Sequence, residues 1–272
     1  MTGRRWGWPV VTVMLTAALA FPLYWAVLSS FTPDERLFAA PALLPRSLAL
    51  THYRALFEER AFWVPMINSL VVAWTTTAVC VTLGSLCAYA IARLRFRGRT
   101  AILAFVLAVS MFPQIAIVSP LYMLLRAAGL LNTYPGLVLP YLSFAMPLAI
   151  WLLTSYFRQL PVDIEEAALV DGAGRLRALT EVVLPLAMPG LATTAILTFL
   201  YSWNEFLFAL SFTLGPERYT VPVAIALFRG QYQVPWGQVL AAAIVATAPV
   251  ALLVLAFQRR IVQGLTAGAV KG

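Results

Sequence analysis

PVDIEEAALVDGAGRLRALTEVVLP, residues 161–185, is a polar island in an apolar chain. It holds Asp163, Glu165, Glu166, Asp171 and Glu181, five of the eleven acids in the whole sequence. Pro161 suits the start of a helix, and the acids just after it suit the positive end of that helix's dipole. Ala167 and Ala168 leave one side small enough for close approach by another backbone. Gly172-Ala173-Gly174 then interrupts the helix. A second helix follows, with Leu176, Leu179, Val182 and Val183 on one face and an Arg177–Glu181 pair on the other. Pro185 is expected to end it. The stretch therefore predicts two short helices meeting at an angle, with an acidic tip. That is a docking shape, not a solvated loop.

The rest of the chain explains why such an island stands out. Of 272 residues, 61% are hydrophobic and 11% charged, where a soluble domain carries roughly 25% charged residues. Much of the chain must therefore face lipid. Spanning the hydrocarbon core takes about 20 apolar residues as a helix, and six stretches qualify: approximately 10–30, 64–92, 101–125, 136–156, 190–210 and 239–257. The first also resembles a secretion signal, with Arg4 and Arg5 ahead of it and Ala18-Leu19-Ala20 within it. Its apolar run continues through Leu23, Trp25, Val27 and Leu28, which suits a retained span.

Arginine and lysine set the orientation. Arg4 and Arg5, the group Arg93, Arg95, Arg97 and Arg99, and Arg259, Arg260 and Lys271 all fall on one side of a six-span chain. That side is cytoplasmic, so both termini, the polar segment 158–189 and the tail 258–272 are expected there. The loop 31–63 mixes both signs and weighs less. The expectation is an all-α integral membrane protein, one transmembrane domain over 1–272.

Several function classes drop out. The net charge of +8 sits in short connectors between apolar runs, which is how topology distributes charge; no nucleic-acid partner is expected. Lys271 is the single lysine, so no GxxxxGK[ST] phosphate loop exists. His52 is the single histidine, which leaves no imidazole-pair metal site. Cys80 and Cys87 share one apolar run and read as small buried hydrophobes. No internal repeat or pair of matching halves is visible, so symmetry is expected from a partner subunit.

Inside the expected spans, polar groups are scarce. Glu205 lies in the fifth, where a buried charge calls for a watery path, a partner chain or a hydrogen-bonding neighbour such as Asn204. Tyr201, Trp203 and Phe206 surround it; their rings suit sugar stacking, and equally an interfacial belt or plain packing. Gln114 sits between Pro113 and Pro120, where its amide suits a ligand hydroxyl or a broken backbone. Gln114, Tyr201, Trp203, Asn204 and Glu205 are the candidate substrate path.

The polar island also carries a resemblance. Glu166-Ala167-Ala168, three residues, Gly172, nine residues and then Val182-Val183-Leu184-Pro185 is similar to the cytoplasmic pattern of permease subunits of binding-protein-dependent ABC importers. Val182 in place of Ile is the one departure. The tail Gln263-Gly264-Leu265-Thr266-Ala267-Gly268-Ala269-Val270-Lys271-Gly272 resembles that of the second permease in maltose- and trehalose-type carbohydrate importers. Met111-Phe112-Pro113-Gln114 and Gly129-Leu130-Leu131-Asn132-Thr133 look like the same family.

The resemblance implies a type I ABC importer permease fold with six transmembrane helices. It further implies an ATPase-coupling set of Glu165, Glu166, Ala167, Ala168, Asp171, Gly172, Leu184 and Pro185, and an ATPase-interface tail with Gly264, Gly268 and Lys271. Implied partners are a second permease (a heterodimer), two ATPase subunits and an extracytoplasmic sugar-binding protein, in a bacterial or archaeal cytoplasmic membrane. The chain would be a multi-pass transport subunit and not an enzyme. ATP and Mg would belong to the ATPases, with no cofactor in this chain. The implied cargo is a neutral di- or oligosaccharide of trehalose or maltose type, with glycerol phosphate as the alternative. No basic cluster inside the spans awaits a phosphate. An ion-coupled secondary transporter would need ionisable pairs within the spans, and an integral-membrane enzyme clustered acids or histidines; neither pattern is present.

Overall fold

The computed structural model describes residues 7–38, 44, 48–228 and 234–267. Its helices are α1 (Gly7–Ser30), α2 (Thr51–Glu58), α3 (Trp63–Arg93), α4 (Arg99–Ser110), α5 (Gln114–Ala127), α6 (Tyr134–Gln159), α7 (Val162–Val170), α8 (Arg175–Leu186), α9 (Met188–Asn204), α10 (Leu207–Phe212), α11 (Val221–Ala226) and α12 (Trp236–Ala267). A single turn at Asp34–Leu37 completes the set, and the described residues contain no strand. Four helices (α1, α3, α6 and α12) are long and apolar enough to cross a membrane, and the count rises to six if the bent pairs α4–α5 and α8–α9 each form one span.

The chain packs as two compact units, Met1–Trp63 with Ile225–Pro249 and Val64–Ala224 with Val250–Gly272. In the second, α6 is the central post. Leu137, Tyr141, Ala145, Ala149, Leu153 and Phe157, each four residues after the last, are all buried. The facing row on α3 is Val72, Thr76, Cys80, Gly84 and Ala88, also at four-residue steps and also buried. Small residues in both rows let the backbones approach closely, which is how helices associate when lipid offers no hydrophobic drive. A Cβ at Gly84 would lie 3.5 Å from the Ala149 Cβ, so alanine would fit there and a longer side chain would not. Rows at four-residue steps are inclined to the helix axis. The contact therefore drifts around α3, and Cys87 is left exposed, contrary to the expectation of two buried cysteines.

α4 and α9 pack on other sides of α6. At the start of α9 a Cβ on Gly190 would collide with the Tyr156 ring, so only glycine admits this crossing.

Two expected spans are not single straight helices. The stretch 101–125 divides into α4 and α5, bent by 91° at Met111–Pro113. Pro113 lacks the N–H that would continue the ladder and pushes Phe112 away from helical geometry. The stretch 190–210 ends as a helix at Asn204, where Glu205 turns extended (ψ 128°) and α10 starts afresh.

In the first unit, residues 8–24 of α1 are all exposed, which suits a helix that is apolar on every side and solvated by lipid. The end of α1 is tied to α2. Ser30 and Tyr53 share a 2.7 Å hydrogen bond, and His52 Nε2 lies 2.8 Å from the Thr32 carbonyl oxygen. His52 and Leu56 form the buried face of α2. Gly237 passes so close to the imidazole that any Cβ there would collide with it. Arg60 donates to Gln238 and lies 4.5 Å from the centre of the Phe228 ring.

Candidate functional site

The polar island folds as α7, a tight turn and α8. Gly172 closes α7 with φ +89°, a conformation that a side chain would strain. α8 carries a π-helical turn over Leu179–Val183. That widened turn accommodates Pro185, which has no N–H and whose ring would crowd the carbonyl one turn earlier. Pro185 therefore does not end the helix, as its residue type alone suggests. The break comes two residues later at Ala187, where α9 leaves at 81°.

The two faces of this segment differ sharply. Leu179 and Val183 are buried against Ala88, Tyr89, Leu153 and Phe157, so α8 lies across the ends of α3 and α6. Leu176, expected on that inward face, is 65% exposed. Glu166, Ala167, Asp171 and Gly172 are exposed, Ala168 and Leu184 half-buried, and Pro185 exposed. Val162, Ile164 and Val170 add an apolar rim, Val170 at 87% exposure. Arg177 and Glu181 pair at 2.9 Å on the exposed side.

Glu165 departs from its neighbours. It is 4% exposed and points inward. Its Oε2 lies 3.0 Å from Arg93 Nε, and Tyr89 donates to its Oε1 at 2.6 Å. Arg93 also donates to the Leu160 carbonyl at 2.9 Å. Glu165 is expected in the ATPase-coupling set; its carboxylate instead ties α7 to α3. Tyr89 and Arg93 were missed as partners, although their four-residue spacing on one face of α3 was a usable signal.

Among the candidate path residues, Gln114 and Tyr201 meet: the Gln114 amide donates to the Tyr201 hydroxyl at 2.7 Å. Trp203 is buried and stacked on Phe199 at 5.7 Å, and the Asn204 amide donates to its own helix at Leu200. Both Glu205 oxygens accept backbone N–H groups of α10, from Phe208 at 2.8 Å and Ala209 at 3.1 Å. The buried Tyr141 hydroxyl faces the same carboxylate. Glu205 thus caps α10, supplying acceptors to amides that have none within their own helix.

A third polar group joins α3, α6 and the loop 213–220. The Asn68 amide donates to the carbonyls of Glu217 and Tyr219 at 3.0 and 2.9 Å, and its oxygen accepts from the Tyr134 hydroxyl at 2.7 Å. Asn132, at φ +60°, donates to Glu217 and accepts from the Leu214 N–H. Arg218 lies over the Tyr134 ring. Asn68 gave no sequence signal beyond being polar near the start of an apolar run.

The described part of the tail continues α12 to Ala267, with Gly264 on that helix. Gly268 and Lys271 lie outside the described residues.

Comparison with known proteins places this architecture. Residues 80–267 match the family described as "Binding-protein-dependent transport system inner membrane component". The chain belongs to that family. It is 44% identical to the trehalose transport system permease protein SugB of Mycobacterium tuberculosis, over 97% of each chain. It is 42% identical to the trehalose/maltose transport system permease protein MalG of Thermococcus litoralis, over 96% of this chain and 94% of that one. Among solved structures it resembles, at TM-score 0.75 and 22% identity, a chain in the crystal structure of a bacterial ABC transporter involved in the import of the acidic polysaccharide alginate. That likeness covers 92% of this chain and 94% of the other, and it shows the fold. The chain is thus a multi-pass membrane permease of binding-protein-dependent transport.

Proposed function

We propose that this permease forms half of the translocation path of an ATP-driven importer for a neutral di- or oligosaccharide, of trehalose or maltose type. A second permease completes the path, and of two cytoplasmic ATPases one docks on segment 158–189. An extracytoplasmic binding protein delivers the sugar, and the assembly sits in a bacterial or archaeal cytoplasmic membrane with both termini inside. The cargo reading rests on the relatives named for trehalose and maltose transport.

The observation that carries the coupling role is the two-sided build of α7–α8. Its inner face is locked onto α3 and α6, while Glu166, Ala167, Asp171 and Gly172 stand uncovered beside an exposed apolar rim. A rigid segment with small residues and bare apolar side chains outward is built to be covered by a protein partner. Nucleotide and Mg belong to that partner. ATP-driven closure of the ATPases would pull on α7 and rock the helices behind it, and the sugar would contribute its differential affinity for the two states.

The test is deletion of residues 166–172, or Gly172→Val, in the chain co-expressed with its second permease and ATPases. Both variants should reach the membrane, lose the ATPases on purification and lose sugar uptake. Undiminished uptake by the deletion would overturn the reading.

A further inference from the structure

Three polar side chains are buried behind the docking face and take no part in it. Glu165, Arg93 and Tyr89 form one cluster, with the ion pair at 3.0 Å and the Tyr89 hydrogen bond at 2.6 Å. Arg93 also holds the Leu160 carbonyl in the turn between α6 and α7. Arg175, the first residue of α8, lies beside the Tyr89 hydroxyl from beyond the Gly172–Gly174 break. The cluster therefore gathers the end of α3, the α6–α7 turn and both limbs of the docking segment.

The surrounding apolar contacts do a different job. Ala88, Leu153 and Phe157 against Leu179 and Val183 exclude water, but packed apolar helices slide past one another in small shear movements at low cost. A buried ion pair contributes little net stability over an apolar substitute. The hydrogen bonds beside it, from Tyr89 to Glu165 and from Arg93 to the Leu160 carbonyl, do fix distance and direction, because each donor has one acceptor at one angle. A segment that transmits a pull needs such a fixed joint, since otherwise the glycine break absorbs the motion.

We propose that Tyr89 and Arg93 are positioning residues that lock α7 to α3 through Glu165, so that a pull on the docking segment is passed to the α3 span. This rests on the reading of 158–189 as the ATPase-docking segment. The cluster acts on transmission, whereas Glu166 to Gly172 act on attachment.

The experiment uses the full complex, with second permease, ATPases and binding protein, in proteoliposomes. Sugar imported per ATP hydrolysed is measured for Glu165→Gln, which removes the ion pair, and Tyr89→Phe, which keeps it and removes the hydrogen bond. Both variants should retain the ATPases and go on hydrolysing ATP. Import per ATP should fall about tenfold for E165Q, a typical size for coupling between sites, and less for Y89F. A structural role alone would lower complex yield, hydrolysis and uptake together and leave the ratio unchanged; that result would overturn the inference. Loss of the ATPases from both variants, with the wild-type complex intact, would also overturn it. Should E165Q fail to reach the membrane, the ratio for Y89F decides alone. A wild-type chain that does not retain the ATPases would overturn the docking reading, and the inference with it.

Discussion

Asn68 offers the sharpest test of how the loop 213–220 is held. It is 2% exposed and makes three hydrogen bonds, two donated to loop carbonyls and one accepted from Tyr134. Asn68→Ala leaves all three partners short, at a net cost of about 1 kcal/mol per bond. Because the bonds share one side chain they will not add fully, so the loss should be about 2–3 kcal/mol. Asn68→Asp is the informative control. It keeps the acceptor for Tyr134 but sets a carboxylate oxygen against two carbonyl oxygens, and should cost about 1 kcal/mol more than alanine. Cys80 is fully buried in the same unit and Cys87 is exposed, so a thiol-reactive dye on a Cys87→Ser background reports unfolding. A loss of that size should lower the midpoint by about 5–10 °C in a protein of this length. Trypsin should also cut faster at Arg218, whose guanidinium otherwise rests on Tyr134. An unchanged midpoint and unchanged cleavage for N68A would refute the clasp, as would N68D no worse than N68A.

Two further outcomes follow from the same geometry. Gly190→Val drives a side chain into the Tyr156 ring and should cost about 1–3 kcal/mol by overpacking; adding Tyr156→Ala should recover part of it, and a double variant no better than G190V would contradict the crossing. The Asn132 amide, hydrogen-bonded to the Glu217 carboxylate, holds that group below its ordinary value of 4.5. A depressed native pKa gives a contribution that is present above pH 4.5 and lost as pH falls through the lower native value. Hydrogen exchange at the Leu214 amide, corrected for its intrinsic pH dependence, should therefore accelerate below pH 4.5. Asn132→Ala should abolish that step.

What was legible in the sequence was whatever depends on local periodicity and composition. Helical spans follow from runs of apolar residues, because a backbone in lipid must satisfy its own hydrogen bonds. The glycine break at 172–174 and the Arg177–Glu181 pair follow from local chemistry. The spacing from Glu166 to Pro185 carried the family, since it is a linear pattern. Tertiary structure decided what each side chain faces. Glu165 and Glu166 are adjacent and chemically alike, yet about 100° apart around a helix, so one is buried on Arg93 and Tyr89 while the other stays exposed. Composition calls for a watery path, a partner chain or a neighbour such as Asn204 at Glu205; the chain turns there, and the amides of α10 take its carboxylate instead. Pro185 read as a stop until the π turn absorbed it. Asn68 was invisible because its partners lie 66 to 151 residues away. Sequence spacing determines which residues can share a helix face; only packing determines which of those faces is covered, and by what.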